Sequence, residues 1–114
     1  MLKTFLILKI IIERMKIAMK MWKISGEVVL AACDPDLLGK SYEEGEFHID
    51  VKKDFYFEKF VNEKAFRNAL KIATIINLVG ENVISIAMEE GIVDIHNIIK
   101  IQNIPHAQAV RMKF

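Results

Sequence analysis

One cysteine and three histidines are the side chains with the widest chemical range in this sequence. Cys33 ends an apolar run and is followed by Asp34, while His106 lies near the C-terminus. A cysteine thiolate beside an imidazole is a nucleophilic pair, so a small enzyme using Cys33, Asp34 or His106 is one hypothesis. No pattern brings these residues together, and cysteine at the end of an apolar strand is usually inert packing. We therefore assign no catalytic residue, and whether the protein is an enzyme stays open.

The tripeptide Gly39-Lys40-Ser41 has the form of the end of a phosphate-binding loop. That motif requires a glycine five residues before Gly39, and the sequence has the anionic Asp34 there. The sequence favours instead a short helical turn that Asp34 caps and Gly39 ends, with Lys40 in solvent. No two of the three histidines have the short spacing that places metal ligands on one helix face. No metal or other cofactor is predicted.

Polar side chains suited to binding occur mainly in two later segments. Residues 103–108 present His106 and Gln108 from a turn that Pro105 makes rigid, and Asn77 and Glu81 flank Gly80. Aromatic residues could stack on nucleic-acid bases, although at these spacings they are more typical of a core or a lid. The candidate binding residues are Asp34, Lys40, Lys71, Asn77, Glu81, His106 and Gln108.

Hydrophobic periodicity predicts how these residues are positioned. Residues 16–24 and 27–33 read as a hairpin, residues 47–51 as a half-buried strand, and residues 54–60 as a strand or a covering loop. Asn62 is a good helix cap, and an apolar stripe follows it through Phe66, Ala69, Leu70, Ala73 and Ile76.

That first helix is expected to end or bend at Gly80. A shorter second helix, with an apolar stripe of Val83, Ile84, Ala87 and Met88, is expected to end at Gly91. Residues 98–104 alternate as a strand, Pro105 marks a turn or an edge, and residues 107–114 return as the last strand. The order predicts one α+β domain with a largely antiparallel sheet and two consecutive helices packed on one face.

Composition bounds the class of protein. The chain has 114 residues, 53% of them hydrophobic, and a net charge of +1, which fits one compact domain and excludes a disordered chain. A single cysteine excludes an intramolecular disulfide. The acidic residues concentrate in residues 25–63, which argues against a surface coated with phosphate-binding charge, although one basic face from Arg67, Lys71, Arg111 and Lys113 remains open.

The first fourteen residues differ from the rest of the chain. Residues 1–12 are apolar but include Lys3 and Lys9, and the run is shorter than the roughly 20 residues needed to cross a bilayer. No small-residue cleavage site follows, so neither a membrane anchor nor a secretory signal is favoured. We expect residues 1–14 to be a non-native extension, with Met15 as the native start and residues 15–114 as the domain. Peptides from upstream of Met15 in the native protein would contradict this.

Three stretches together resemble a known family. They are residues 26–40, which contain GEVVLAACD and LGK; residues 73–81, ATIINLVGE; and residues 104–108, IPHAQ. In this order and spacing they are similar to a family of short archaeal proteins known as the domain of unknown function 424 family. The resemblance implies an archaeal, cytoplasmic protein and transfers no catalytic residue. It draws attention to the recurrent positions Cys33, Asp34, Gly39, Lys40, Asn77, Gly80, Glu81, Pro105, His106 and Gln108.

Our leading hypothesis is a non-catalytic binding module in RNA metabolism or translation. Its partner would be a ribonucleoprotein or a translation-related protein, with RNA itself also possible and no membrane involved. A small enzyme using Cys33, Asp34 or His106 is the second hypothesis. A protein–protein adaptor or homodimer is the third, because an open sheet leaves free strand edges. The sequence does not indicate the oligomeric state.

Overall fold

The computed structural model describes residues 2–14 and 16–111. The helices and strands, in chain order, are α1 (Leu2–Arg14), β1 (Ile17–Ile24), β2 (Glu27–Cys33), β3 (Ser41–Glu44), β4 (Phe47–Asp50), α2 (Lys53–Tyr56), β5 (Lys59–Val61), α3 (Glu63–Ile72), β6 (Ile75–Val79), α4 (Glu81–Glu89), β7 (Ile98–Ile101) and β8 (Ile104–Val110). Two short 3-10 turns at Pro35–Leu37 and Ile95–Asn97 complete the elements.

Six strands form the main sheet in the order β5-β1-β2-β6-β8-β7. Every neighbouring pair is antiparallel except β2 and β6, which run parallel. The predicted α+β fold with a largely antiparallel sheet is therefore confirmed. The remaining two strands, β3 and β4, form a separate hairpin.

Helices α3 and α4 pack on one face of the main sheet. Phe66 and Leu70 of α3, and Val83 of α4, are fully buried against Leu30 of β2 and other side chains of that face. The side chain of Asn62 accepts a hydrogen bond from the Ala65 N–H at 2.9 Å, which confirms it as the cap of α3. We call this the helix-covered face.

The predicted run of two consecutive helices is wrong, because strand β6 lies between them. Helix α3 ends at Ile72, and Ala73 is already extended. The Thr74 hydroxyl then bonds both the N–H and the carbonyl of Val28 in β2, at 2.9 and 3.2 Å. The β-branched run from Thr74 to Ile76 favours a strand, and tertiary pairing with β2 outweighs the helical spacing of the apolar stripe.

Two other expectations near this strand are corrected. Asp34 makes no side-chain bond to the turn that follows it. Pro105 lies inside β8 rather than at a turn or an edge: its carbonyl accepts from Gly80 N–H at 2.9 Å. The Gly80 carbonyl is bonded by Ile84 N–H of α4, so the ladder does not require a donor at position 105.

The second helix ends as expected but buries a different side chain. Gly91 has a φ of +72° and follows the cap residue of α4, which confirms its role. Met88, expected to lie in the apolar stripe, is 44% exposed, and Ile86 is buried instead. Residues 54–60, left open as strand or loop, divide between α2 and β5.

The opposite face of the sheet carries a second, smaller core. The β3–β4 hairpin and α2 cover Ala18, Cys33 and Val79 there with Ile49, Val51 and Tyr56. Within residues 2–14 and 16–111, no helix is long and apolar enough to cross a membrane. Large apolar side chains of α1 such as Leu2 and Phe5 are exposed, and the expectation that residues 1–14 are non-native stays a prediction.

Candidate functional site

The strand register arranges the side chains of this second face in rows across the sheet. One row consists of Trp22, Val29, Ile75 and Val110 on neighbouring strands. The next consists of Lys20, Ala31, Asn77 and Gln108. Because successive side chains of a strand alternate between faces, both rows project from the side opposite α3 and α4.

The hairpin and α2 cover the end of this face that contains Cys33 and Val79, and Val29 and Ala31 in the middle of the two rows are buried as well. Val110 is 72% exposed, Gln108 is exposed, and Ile75 and Asn77 are half-buried. We call the surface formed by Trp22, Ile75, Asn77, Gln108 and Val110 the open face. The structure thus brings two predicted binding residues, Asn77 and Gln108, together on it, although Asn77 lies on a strand and not on the predicted helix.

Asn77 and Gln108 form a direct amide pair. Gln108 Nε2 donates to Asn77 Oδ1 at 2.8 Å, and the two residues are register partners on β6 and β8. Among the described residues, Asn77 Nδ2 and Gln108 Oε1 have no other partner, so the pair presents one amide donor group and one carbonyl acceptor toward solvent. A fixed donor beside a fixed acceptor can read the edge of a base or a peptide amide.

His106 borders the open face. It lies two residues before Gln108 on β8, so its side chain is on the same side of the sheet, and it is half-buried opposite Ile99. Burial lowers the pKa of His106 below the ordinary value of 6.5, so the imidazole is neutral at pH 7. A neutral imidazole adds a donor and an acceptor, but no charge, beside the amide pair.

Aromatic side chains lie at the other end of the open face. Trp22 contacts Phe55 of α2 edge-to-face, with ring centroids 5.2 Å apart. Lys20 Nζ lies 5.7 Å from the Trp22 ring and donates to the Asp54 carbonyl at 2.7 Å. A half-buried indole with an ammonium group over its ring combines an aromatic surface with a positive charge, which is a combination suited to nucleic-acid bases.

Asp34 and Glu81 meet at a different place, the junction of β2, β6 and α4. The carboxylate of Asp34 accepts from Asn82 and Val83 N–H, each at 3.0 Å, and so caps α4 instead of the turn after Asp34. Burial raises the pKa of Asp34, while the two backbone bonds oppose that rise. Asp34 therefore stabilises the fold, and it does not converge with Lys40, Asn77 and His106 in one pocket.

The register also decides the thiolate–imidazole hypothesis. Cys33, Val79 and His106 follow one another on β2, β6 and β8, so Val79 separates the other two, whose backbones lie about 10 Å apart at ordinary strand spacing. Cys33 is fully buried, and burial raises the pKa of its thiol to about 12. A protonated thiol without a nearby base is not a nucleophile.

Two of the four residues of the basic face that the sequence left open, Arg67 and Arg111, have their guanidinium groups bonded within the fold. The guanidinium of Arg67 binds Glu89 at 2.5 Å, Glu90 at 3.0 Å and Glu63 at 3.4 Å. The guanidinium of Arg111 donates to the Leu70 and Lys71 carbonyls at the end of α3, where a cation also complements the helix dipole.

Lys71 and Lys40, the two predicted cationic binding residues, lie far from each other in the fold. Lys71 is exposed in the last turn of α3 on the helix-covered side, and Lys113 lies outside the described residues. Lys40 is exposed beside the hairpin, where it lines a groove with Lys52 and Lys53.

Sequence reasoning missed a polar cluster on the hairpin. His48 lies between Asp50, 2.9 Å from Nε2, and Glu43, 3.0 Å from Nδ1, and the Ser41 hydroxyl binds Asp50 at 2.5 Å. The hairpin itself had a signal in the sequence, because Gly45 and Glu46 form a two-residue turn between two four-residue strands. In the part of the chain that the structure describes, no group of three or more His, Cys, Asp or Glu side chains is arranged to hold a metal ion.

Comparisons with known proteins agree with this description. No curated protein matches the chain. A crystal structure of an uncharacterized conserved protein from Methanopyrus kandleri is similar, with a TM-score of 0.68 and 26% sequence identity over 87% of this chain and 96% of that one. Residues 22–112 match the family described as "Protein of unknown function (DUF424)". This match spans most of the sequence, including every residue that defines the open face, and so the chain belongs to the DUF424 family.

Proposed function

We propose that this protein is a non-catalytic binding module that holds single-stranded RNA on its open face, within a cytoplasmic ribonucleoprotein of an archaeal cell. The observation that carries the proposal is the amide pair between Gln108 Nε2 and Asn77 Oδ1, 2.8 Å apart on an exposed part of the sheet. Sequence-specific RNA recognition uses unpaired bases, which are hydrogen-bonded along their edges and stacked on flat side chains.

The open face offers both kinds of contact. The free donor of Asn77 and the free acceptor of Gln108 suit a base edge that has an adjacent acceptor and donor. Trp22 supplies a ring for stacking, and the ammonium of Lys20 lies over that ring, 5.7 Å from its centroid. The apolar side chains of Ile75 and Val110 flank the amide pair, and they favour the flat faces of bases over a hydrated ion.

Two features argue for binding without catalysis. The only cysteine is buried with a thiol pKa of about 12, and the carboxylate of Asp34 is engaged by two backbone N–H groups. The net charge of +1 supports selective contact with bases rather than strong general attraction to phosphates. An adaptor or homodimer that uses a free strand edge of the sheet stays a prediction.

The direct test measures binding of the full chain to fluorescent 12-nucleotide RNAs of A, C, G or U by anisotropy. Gln108→Ala removes half of the amide pair at an exposed position and leaves the sheet backbone unchanged. We expect binding of the preferred RNA to weaken about tenfold, because a good side chain–base pair contributes roughly 1–3 kcal/mol. Asn68→Ala is the matched control, since Asn68 is an exposed amide of α3 on the opposite side.

Two results would contradict the proposal. If the wild-type protein binds none of the four RNAs, the proposal of RNA binding is wrong. If Gln108→Ala binds as tightly as Asn68→Ala, the open face is not the surface that binds RNA. The ribonucleoprotein part is tested by capturing the tagged full chain from its native host with and without RNase. Ribosomal proteins that disappear after RNase treatment support it, and a clean protein under both conditions contradicts it.

A further inference from the structure

A groove of about 290 Å³ lies between the start of β3 and the start of α2, outside the open face. Three lysines line it, Lys40, Lys52 and Lys53, together with two aspartates, Asp50 and Asp54. Within residues 2–14 and 16–111, none of these lysines forms an ion pair, in contrast to Arg67, which has three carboxylate partners.

Backbone bonds hold the two sides of the groove together. Gly39 N–H donates to the Val51 carbonyl at 2.7 Å, and Val51 N–H donates to the Lys40 carbonyl at 2.9 Å. These two bonds fix the backbone of Gly39 and Lys40 beside Val51, the residue before Lys52. Gly39 has a φ of +82°, and a Cβ built there would lie 3.7 Å from Cε of Lys53, so the stem of this third lysine passes close to the same turn.

The negative charge of the groove is partly offset. Asp50 accepts from the Ser41 hydroxyl and lies 2.9 Å from His48 Nε2. These two bonds, with a smaller contribution from Lys52, lower the pKa of Asp50, so its carboxylate stays ionised but is bonded on the hairpin side. The three lysines and two aspartates that line the groove thus carry three positive and two negative charges, a net charge of +1.

Lys20 lies between the groove and the open face. Its Nζ donates to the Asp54 carbonyl at the edge of the groove, and it lies 5.7 Å from the Trp22 ring. Lys20 also shares its cross-strand row with Asn77 and Gln108. A strand whose base stacks on Trp22 would therefore have its backbone beside Lys20 and, one or two nucleotides further, beside Lys53.

We propose that this groove binds the phosphate backbone of the same RNA strand whose bases contact the amide pair. The inference rests on the proposed function. It adds a second site, a path for the RNA from the open face to the groove, and three phosphate-binding residues. Lys40, Lys52 and Lys53 act as point charges for phosphates, while Asn77 and Gln108 supply the contacts to bases.

The test is the salt dependence of RNA affinity, measured with the full chain at several salt concentrations. For single strands, log K falls with log salt by about 0.7 for each phosphate neutralised. The variant K40Q/K52Q/K53Q is therefore expected to reduce the slope by about 2. The matched control is K23Q/K64Q/K100Q, which loses the same charge from exposed lysines on other surfaces; its slope is expected to stay near that of the wild type.

The outcomes separate this inference from the proposed function. One outcome is that RNA binds, that Gln108→Ala weakens this binding and that the groove variant has the same salt slope as the control. The groove inference is then overturned, and the open face stands. If the groove variant loses slope but Gln108→Ala has no effect, phosphate binding in the groove is supported, while the open face and its link to the groove are overturned. If the wild type binds no RNA, both are overturned. Circular dichroism and thermal melts of each variant show whether it is folded.

Discussion

The two faces of the main sheet differ in what covers them. On the helix-covered face, α3 and α4 bury a continuous core that includes Phe66, Leu70 and Val83, all with no exposed surface. On the other face, a four-residue helix and a two-stranded hairpin cover one end, and the rest carries the open face. Stability therefore concentrates on one side of the sheet, and exposed polar groups on the other.

The difference shows why the candidate site is on the second face. A fully buried face has no room for side chains such as Asn77, because a buried amide must be completely hydrogen-bonded. Side chains on the open face can hydrogen-bond to water, so the Asn77–Gln108 pair can leave one donor and one acceptor without a protein partner. The helix-covered face, in turn, provides the rigid support that a binding surface on strands requires.

The largest expected effect comes from breaking the helix-covered face. Phe66→Ala deletes a fully buried ring and is expected to lower the free energy of unfolding by about 3–5 kcal/mol. Phe47→Ala makes the same change at a hairpin residue that is 53% exposed, where the loss should stay below about 1 kcal/mol. Urea denaturation of both variants measures the difference, and equal losses would contradict the contrast between the two regions.

A smaller effect is expected at the junction between the faces. Gly80 has a φ of +121°, and an added Cβ would lie 2.4 Å from Cγ of Asp34, the cap of α4. Gly80→Ala should therefore lower the free energy of unfolding by about 2–4 kcal/mol, from backbone strain and overlap together.

Gly91→Ala serves as the control for backbone strain alone. Gly91 also has a positive φ, of +72°, but nothing lies within 4 Å of its built Cβ, so a loss of only about 1 kcal/mol is expected. If thermal and urea denaturation gave the two alanine variants the same stability, the close approach of Asp34 to Gly80 would have no energetic importance.

Local signals in the sequence were sufficient for the class of fold and for several elements. The caps at Asn62 and Gly91 were readable because they depend on residues within four positions of each other. Strand β6 could not be predicted from the sequence, because the apolar stripe from Phe66 to Ile76 has helical spacing. A helix and a strand would each place Ile76 in the same core. Pairing with β2, forty-six residues away at Thr74 and Val28, decides between them.

The candidate site was predictable in its residue types but not in its assembly. Asn77, His106 and Gln108 were selected from separate segments, and only the register of β6 with β8 shows that they share one surface. Asp34 was selected as a binding residue, yet its carboxylate caps α4 by accepting from the N–H of Asn82, forty-eight residues later. A polar residue in a loop has the same sequence signature in both roles, so geometry must separate them.

The smallest effect distinguishes the two regions by their histidines. The hydrogen bond to Asp50 is the largest cause of the raised pKa of the exposed His48, whereas burial lowers the pKa of His106. An NMR titration of the imidazole resonances should place His48 above 6.5 and His106 below it. Asp50→Asn should return His48 toward 6.5 and leave His106 unmoved.

The same pKa shift predicts a weak dependence of stability on pH. A histidine whose folded pKa is raised binds its proton more tightly in the folded state, so His48 stabilises the fold fully below pH 6.5, and this contribution is lost as the pH rises through the folded pKa. The stability difference between wild type and His48→Gln should therefore shrink from pH 6 to pH 9. A difference that grew over that range would mean that Glu43 and Asp50 do not hold the imidazolium on the hairpin.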